Sequence, residues 1–305
     1  MLGIVATFNL NLLPTMAATG WVMPALMAAA LVTFAIPQAV AVVELSRRFP
    51  GEGGMAEWVR HHFGDFCGFL TAWCYWAINV VYVPTLIVFL VGNLGFLIHG
   101  GPTTQGSPTL PMLAACLAAL WLVAGLSVLG FGVSRWFSNA GGCCTLLALI
   151  VLVALCGRSA LAGPIVRPPA NLEQATSPPG ELDWTSLGAF GVFCMALVGP
   201  ELGTVIGDEI RESPTVVGWS VWRVSLLAVL CYWLGAGSLQ FSVPAETIHS
   251  VEGVLAAANA IAEPLGATWV VSLLGSLLGV SVAGAALTWF AGASRMLWLA
   301  GHDGV

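Results

Sequence analysis

Residues 196–203 read ALVGPELG and set Gly199, Pro200 and Glu201 in succession, inside an apolar stretch running from Trp184 to Gly207. Glycine and proline together interrupt a helix, and the carboxylate follows at once. Glu201 stands seven residues before Asp208, about 10 Å along a helix at 1.5 Å per residue. An acid at the centre of a membrane helix costs about 2.5–3.5 kcal/mol on insertion scales, so it is a functional candidate by default. A carboxyl group held there can gain and lose a proton as part of a working cycle. The plainer reading is a protonated Glu201 that only hydrogen-bonds an unwound carbonyl.

A second interrupted stretch lies near the N-terminus, where ATFNLNLLPTMA (6–17) carries Asn9, Asn11 and Pro14. The asparagines can hold freed backbone groups, touch a ligand, or both. Two further positions stand out. Asn79, in WCYWAINVVYVP (73–84), is an amide in an apolar span and can bond either a neighbouring helix or a ligand. Trp289, in GAALTWFAG (284–292), is a packing residue or a lid.

The elements that position these residues follow from composition. The chain has 305 residues, of which 58% are hydrophobic and 8% charged, whereas a soluble domain has roughly 25% charged residues. It is an all-α, polytopic membrane protein with the lipid bilayer as its solvent. A bilayer core needs about 20 apolar residues per helix, and eight stretches meet that need: residues 2–20, 24–45, 66–97, 111–133, 136–157, 184–207, 217–241 and 269–299. Seven of the arginines (47, 48, 60, 135, 211, 223 and 295) fall on one side of that topology, and only Arg158 and Arg167 on the other. The positive-inside rule then puts the N-terminus in the cytoplasm of a multi-pass cell-membrane protein.

The longer links are short of domain size. Residues 46–65 contain an amphipathic piece around Glu57 to Phe63, expected on the inner surface. Residues 158–183 carry five prolines and read as an extracellular loop. The run VEGVLAAANAIAEP (251–264) predicts a short helix folded over the outer mouth. Eight cysteines lack metal-ligand spacing and read as small packing residues, so no metal and no cofactor is expected. No nucleophile–base pair or phosphate loop points to an enzyme, and nothing points to nucleic acid.

Five spans separate the start of the first broken span from the start of the sixth, and an odd repeat length inverts the second copy. Paired interrupted segments in two inverted halves indicate a secondary transporter with a midplane site. The N-termini of the half-helices there offer free N–H groups to an anionic group.

Three segments carry a family resemblance. ELSRRFPGEGGMAEWVRHHFGDFCGFLTAWCYW (44–76) resembles the link between the second and third helices of the amino acid–polyamine–organocation (APC) permeases. FCMALVGPELGTVIGDEIRESP (193–214) resembles their sixth helix, and ASRMLWLAGHDG (293–304) the exit of their eighth. The resemblance implies a leucine-transporter-like inverted-repeat fold: residues 1–157 as the first repeat with helices 1–5, and 184–305 as a partial second repeat with helices 6–8. It implies a small-molecule substrate, an amino acid or related amine, carried by alternating access with H⁺ or Na⁺ as possible coupling ion. Family contacts map onto Asn9, Leu10, Asn11 and Leu12, onto Leu197, Val198, Gly199 and Pro200, and onto Asn79 and Trp289. Glu201 matches the family's proton-linked gating position. Here NLNLLP replaces the usual glycine-rich first break, and Ala56 stands where a loop aromatic is common. Members carry about twelve spans, so a fragment or shortened gene product is expected. A truncated, non-transporting scaffold or partner subunit is the competing reading, and a channel is a third.

Overall fold

The computed structural model describes residues 2–49, 54–101, 109–128, 131–162, 184–205, 214–243 and 252–302. The described residues are almost entirely helical, with no strand among them. Six helices are long and apolar enough to cross a membrane: Met23–Arg48, Asp65–His99, Leu110–Val128, Arg135–Ala162, Trp219–Ser242 and Trp269–Trp298. These correspond to six of the eight expected spans. The two expected spans missing from that set are the two with interruptions, because each is split into shorter helices.

The first span consists of α1 (Leu2–Thr7), a 3₁₀ turn over Leu10–Leu12, and α2 (Leu13–Ala17). The second runs through α3 (Met23–Ala30), a π-helical turn over Leu31–Ala35, and α4 (Ile36–Arg48). Pro37 explains that turn: its ring has no N–H to donate and crowds the carbonyl one turn back, and the ladder widens to accommodate it. The piece expected on the inner surface forms α5 (Met55–Phe63), and α6 (Asp65–His99) follows after one glycine. Then come α7 (Leu110–Val128) and α8 (Phe131–Ala162). Helix α8 therefore continues into the stretch expected as loop from residue 158, while residues 163–183 and Arg167 lie outside the described residues.

The sixth span divides into α9 (Trp184–Ala196) and a single turn, α10 (Leu202–Val205). Residues 206–213, with Asp208 and Arg211, lie outside the described residues. Helices α11 (Pro214–Ser242), α12 (Gly253–Ala262) and α13 (Trp269–His302) complete the chain. The expected short helix is thus present as α12, and it packs on α8, α13 and the first span.

Helix α13 is the most buried of the six long spans and contacts α6, α7, α8 and α1. Its seam with α8 is built from small residues. A side chain on Gly284 would meet the Phe137 carbonyl oxygen at 2.8 Å and the Gly141 Cα at 3.0 Å. Two hydroxyl pairs flank that crossing, Ser138 with Thr288 and Thr145 with Ser281, each at 2.6 Å. Apolar surface gives little drive to join helices in lipid, so close backbone approach and interhelical hydrogen bonds supply the attraction. By contrast α7 exposes Leu110, Leu113, Leu117, Trp121 and Leu122, a surface suited to acyl chains.

Helix α5 is buried on two sides, at Ala56 and at Trp58, which packs with Ala39, Val42 and Val221. Gly54, with φ +53°, begins the helix so close to α10 that a Cβ there would lie 2.8 Å from the Thr204 Oγ1. Ala56 joins Ala72, Val205 and Met296 in a small apolar cluster. Helix α5 thereby caps the end of the broken sixth span.

Candidate functional site

The two breaks cross each other. Gly199 has φ +128°, a conformation L side chains rarely adopt, and its absent Cβ would lie 2.8 Å from the Ala6 carbonyl oxygen and 2.9 Å from the Thr7 Cα. The backbone of the sixth span thus rests directly on the backbone of the first. A glycine is required at that point for both space and conformation.

Each break has to satisfy backbone groups that lost their helical partners. Before the break in the first span, Phe8 is the last residue whose N–H follows the helical pattern, donating to Ile4 at 2.8 Å. The Asn9 N–H instead donates to the Tyr232 hydroxyl at 2.9 Å, and that hydroxyl donates to the Thr7 carbonyl at 3.1 Å. Tyr232, fully buried on α11, therefore replaces one missing rung with both its donor and its acceptor functions. Its ring meets Phe8 edge-on at 4.7 Å. Asn9 caps the 3₁₀ turn that restarts the chain: its Oδ1 accepts from the Asn11 N–H at 3.0 Å and the Asn11 Nδ2 at 3.1 Å. The freed Ala6 carbonyl accepts from the Trp289 indole at 3.1 Å.

Glu201 stitches the second break to two other spans. Its Oε2 accepts from the Gly199 N–H at 2.8 Å and from Gln38 Nε2 at 2.9 Å. Its Oε1 faces the Tyr75 hydroxyl at 3.5 Å. The Glu201 carbonyl accepts from the Thr204 N–H and hydroxyl at 2.9 and 2.7 Å, which starts α10. The side chain is 1% exposed, and it is tied to no arginine or histidine among the described residues. Two N–H donors already occupy Oε2, so a proton on this acid belongs on Oε1, where it would turn Tyr75 from donor to acceptor.

Beside the crossing lies a cavity of about 560 Å³. Asn9, Leu12, Asn79, Val198, Glu201 and Trp289 line it, together with Ala6, Thr7 and residues of the π-helical turn, α4, α5, α6 and α9. Thus six of the residues singled out in the sequence share one cavity. The other five have different places. Leu10 and Leu197 lie in the apolar core, Asn11 is bonded to Asn9, and Gly199 and Pro200 are buried at the crossing. Trp289 forms an aromatic wall with Tyr75, stacked at 6.2 Å, and Tyr82, edge-on at 5.2 Å. Asn79 donates from Nδ2 to the Tyr75 carbonyl at 2.8 Å, and its Oδ1 is buried without a partner.

Gln38, Tyr75, Tyr82, Tyr232 and Met55 were not singled out in the sequence. A signal existed for the tyrosines: the chain has three, each falls in an apolar span, and a buried phenol needs a polar partner. Gln38 also stood as an uncharged polar residue in the second span. No group of three or more metal-ligating side chains occurs among the described residues.

Comparison with known proteins gives this arrangement its context. Residues 1–305 match the family described as amino acid permease. An uncharacterized transporter of Legionella pneumophila is 27% identical over 308 residues, covering all of this chain and 64% of the relative. A probable agmatine/putrescine antiporter of Lactococcus lactis is 23% identical over 248 residues, covering 81% of this chain and 51% of the relative. The chain thus spans between about half and two thirds of the length of these relatives. With a family match running its whole length, the chain belongs to the amino acid permease family.

Proposed function

We propose that the chain forms the substrate-binding part of a secondary carrier of amino acids or related amines that works by alternating access. The observation that carries this reading is the cavity beside two crossed helix breaks, with a buried carboxylate in its wall. Irregular backbone at membrane depth is tolerated where it is enclosed by protein or lines a cavity, and both conditions hold here. The relatives' names, transporter and antiporter, point the same way. Residues 1–157 are the first repeat and 184–305 part of an inverted second, with the N-terminus and α5 on the cytoplasmic side of the cell membrane.

Glu201 is the coupling residue in this reading. Loading a proton onto Oε1 alters the contact with Tyr75 on the third span, while Oε2 stays tied to Gln38 on the second. The carboxylate thereby links the charge of the site to the relative placement of three spans. Its pH response is tested by Glu201→Gln in proteoliposomes, measuring uptake of labelled substrate across an imposed pH gradient. The variant should transport at a rate indifferent to the gradient; an unchanged gradient dependence would remove the coupling role.

A further inference from the structure

Amino acids share an ammonium and a carboxylate, so the wall around the side chain is what tells one class from another. The polar residues of this cavity gather near the breaks. Thr7 and Asn9 belong to the first break and Glu201 to the second, with Gln38 bonded to Glu201 and Asn79 to the Tyr75 carbonyl. The remainder of the wall is apolar: Leu12, Phe34, Met55, Ile78, Met195 and Val198, drawn from the first, second, third and sixth spans and from α5. The rings of Tyr75, Tyr82 and Trp289 complete it.

Accessible charge is what this wall withholds. Among the described residues that line the cavity there is no arginine, lysine, histidine or aspartate, and Glu201 is the one glutamate. Its carboxylate is a poor counter-ion for a guest. The residue is 1% exposed, Oε2 accepts from the Gly199 N–H and from Gln38, and Oε1 faces the Tyr75 hydroxyl. In the carrier reading it also exchanges a proton, so its charge is not constant through a cycle. A guest side chain carrying a charge of either sign would therefore give up its water without an accessible partner. Cation–π attraction from the rings offsets only part of that loss.

We infer that the cavity selects an amino acid whose side chain is uncharged and apolar, on the scale of leucine, methionine or phenylalanine, and discriminates against charged side chains and diamines. This rests on the carrier reading above and narrows its substrate class. The cavity, at about 560 Å³, has room for such side chains, since small-molecule sites commonly span about 300–1,000 Å³. Met55 and Met195 are unbranched and polarizable, so they repack around guests of different outline. Selection is accordingly by charge more than by shape, and several apolar amino acids share the site.

The test compares leucine, methionine and phenylalanine with lysine, arginine, glutamate and putrescine. Ligand-induced thermal shifts of the detergent-purified chain give the affinities, and proteoliposomes give uptake of the labelled compounds. At least one apolar amino acid should bind about tenfold or more tightly than every compound of the charged set. A charged compound that binds within about tenfold of the best apolar one overturns the side-chain assignment and leaves the carrier reading standing. No shift and no uptake with any compound of the panel overturns both. Met55→Glu adds a gain-of-function arm, because Met55 is the first residue of α5, where a helix N-terminus accommodates an acid, and the substitution sets a counter-ion in the wall. The variant should raise the lysine-to-leucine affinity ratio by about tenfold. An unchanged ratio in a variant that melts near the parent overturns selection by wall charge, and the comparison in the unmodified chain decides the matter if the variant does not fold.

Discussion

Replacing Gly199 by alanine perturbs the crossing of the two breaks at a single atom. The added Cβ would lie 2.8 Å from the Ala6 oxygen and 2.9 Å from both the Ala6 carbon and the Thr7 Cα. All three are backbone atoms, so no side chain can swing aside. Restoring ordinary contact requires the spans to part by about 0.6 Å. Overpacking of this kind costs about 1–3 kcal/mol, and holding alanine at φ +128° adds about 1–3 kcal/mol. The same displacement stretches the Gly199 bond to Glu201 and the Trp289 bond to Ala6. Gly203 supplies the control, because it belongs to the same broken span and a Cβ there meets nothing within 4 Å. Thermal denaturation of both variants in detergent is the assay. At roughly 2–4 °C per kcal/mol for a chain this large, Gly199→Ala should melt at least about 4 °C below Gly203→Ala. Equal melting temperatures would refute the claim that the breaks are in contact through this glycine.

Three further outcomes follow from the same contacts. Tyr232→Phe retains the ring packing on Phe8 but leaves the Asn9 N–H and the Thr7 carbonyl without their partner, and it should cost about 1–3 kcal/mol in a denaturation assay. A double-mutant cycle with Thr145→Ala and Ser281→Ala should give a coupling energy near 0.6 kcal/mol, the typical value for a hydrogen bond between membrane helices. Asn93 is 1% exposed, and neither its Nδ2 nor its Oδ1 has a partner. Asn93→Leu should therefore leave thermal stability unchanged or raise it, since removing an unsatisfied buried amide relieves a desolvation cost of about 1–3 kcal/mol.

Much of the architecture was legible because lipid imposes a length rule. Asp65–His99 brackets the stretch expected at 66–97, and Trp269–His302 brackets 269–299. The breaks were legible for a related reason: a Gly–Pro pair followed by Glu201, and Asn9 and Asn11 two positions apart, are combinations that a lipid-facing helix does not favour. What could not be read was which distant groups repair them. Gln38 and Glu201 are 163 positions apart, and Asn9 and Tyr232 are 223 apart. Periodicity assigns a face to each helix but not the neighbour that the face meets. The π-helical turn before Pro37 is similar: proline flags a disturbance, but the widened turn that precedes Gln38 depends on packing. Trp289, read as packing or lid, has a hydrogen bond to the first span that no spacing in α13 indicates.

That indole has two attachments. Its ring is part of the cavity wall against Tyr75 and Tyr82, and its N–H holds the last turn of α1. An occupant that rotates the ring must stretch or break the bond to Ala6, at the very residue on which Gly199 rests. The width of a bound molecule is thereby converted into tension on the first span, and a slender guest and a broad one would leave the two crossed backbones under different loads.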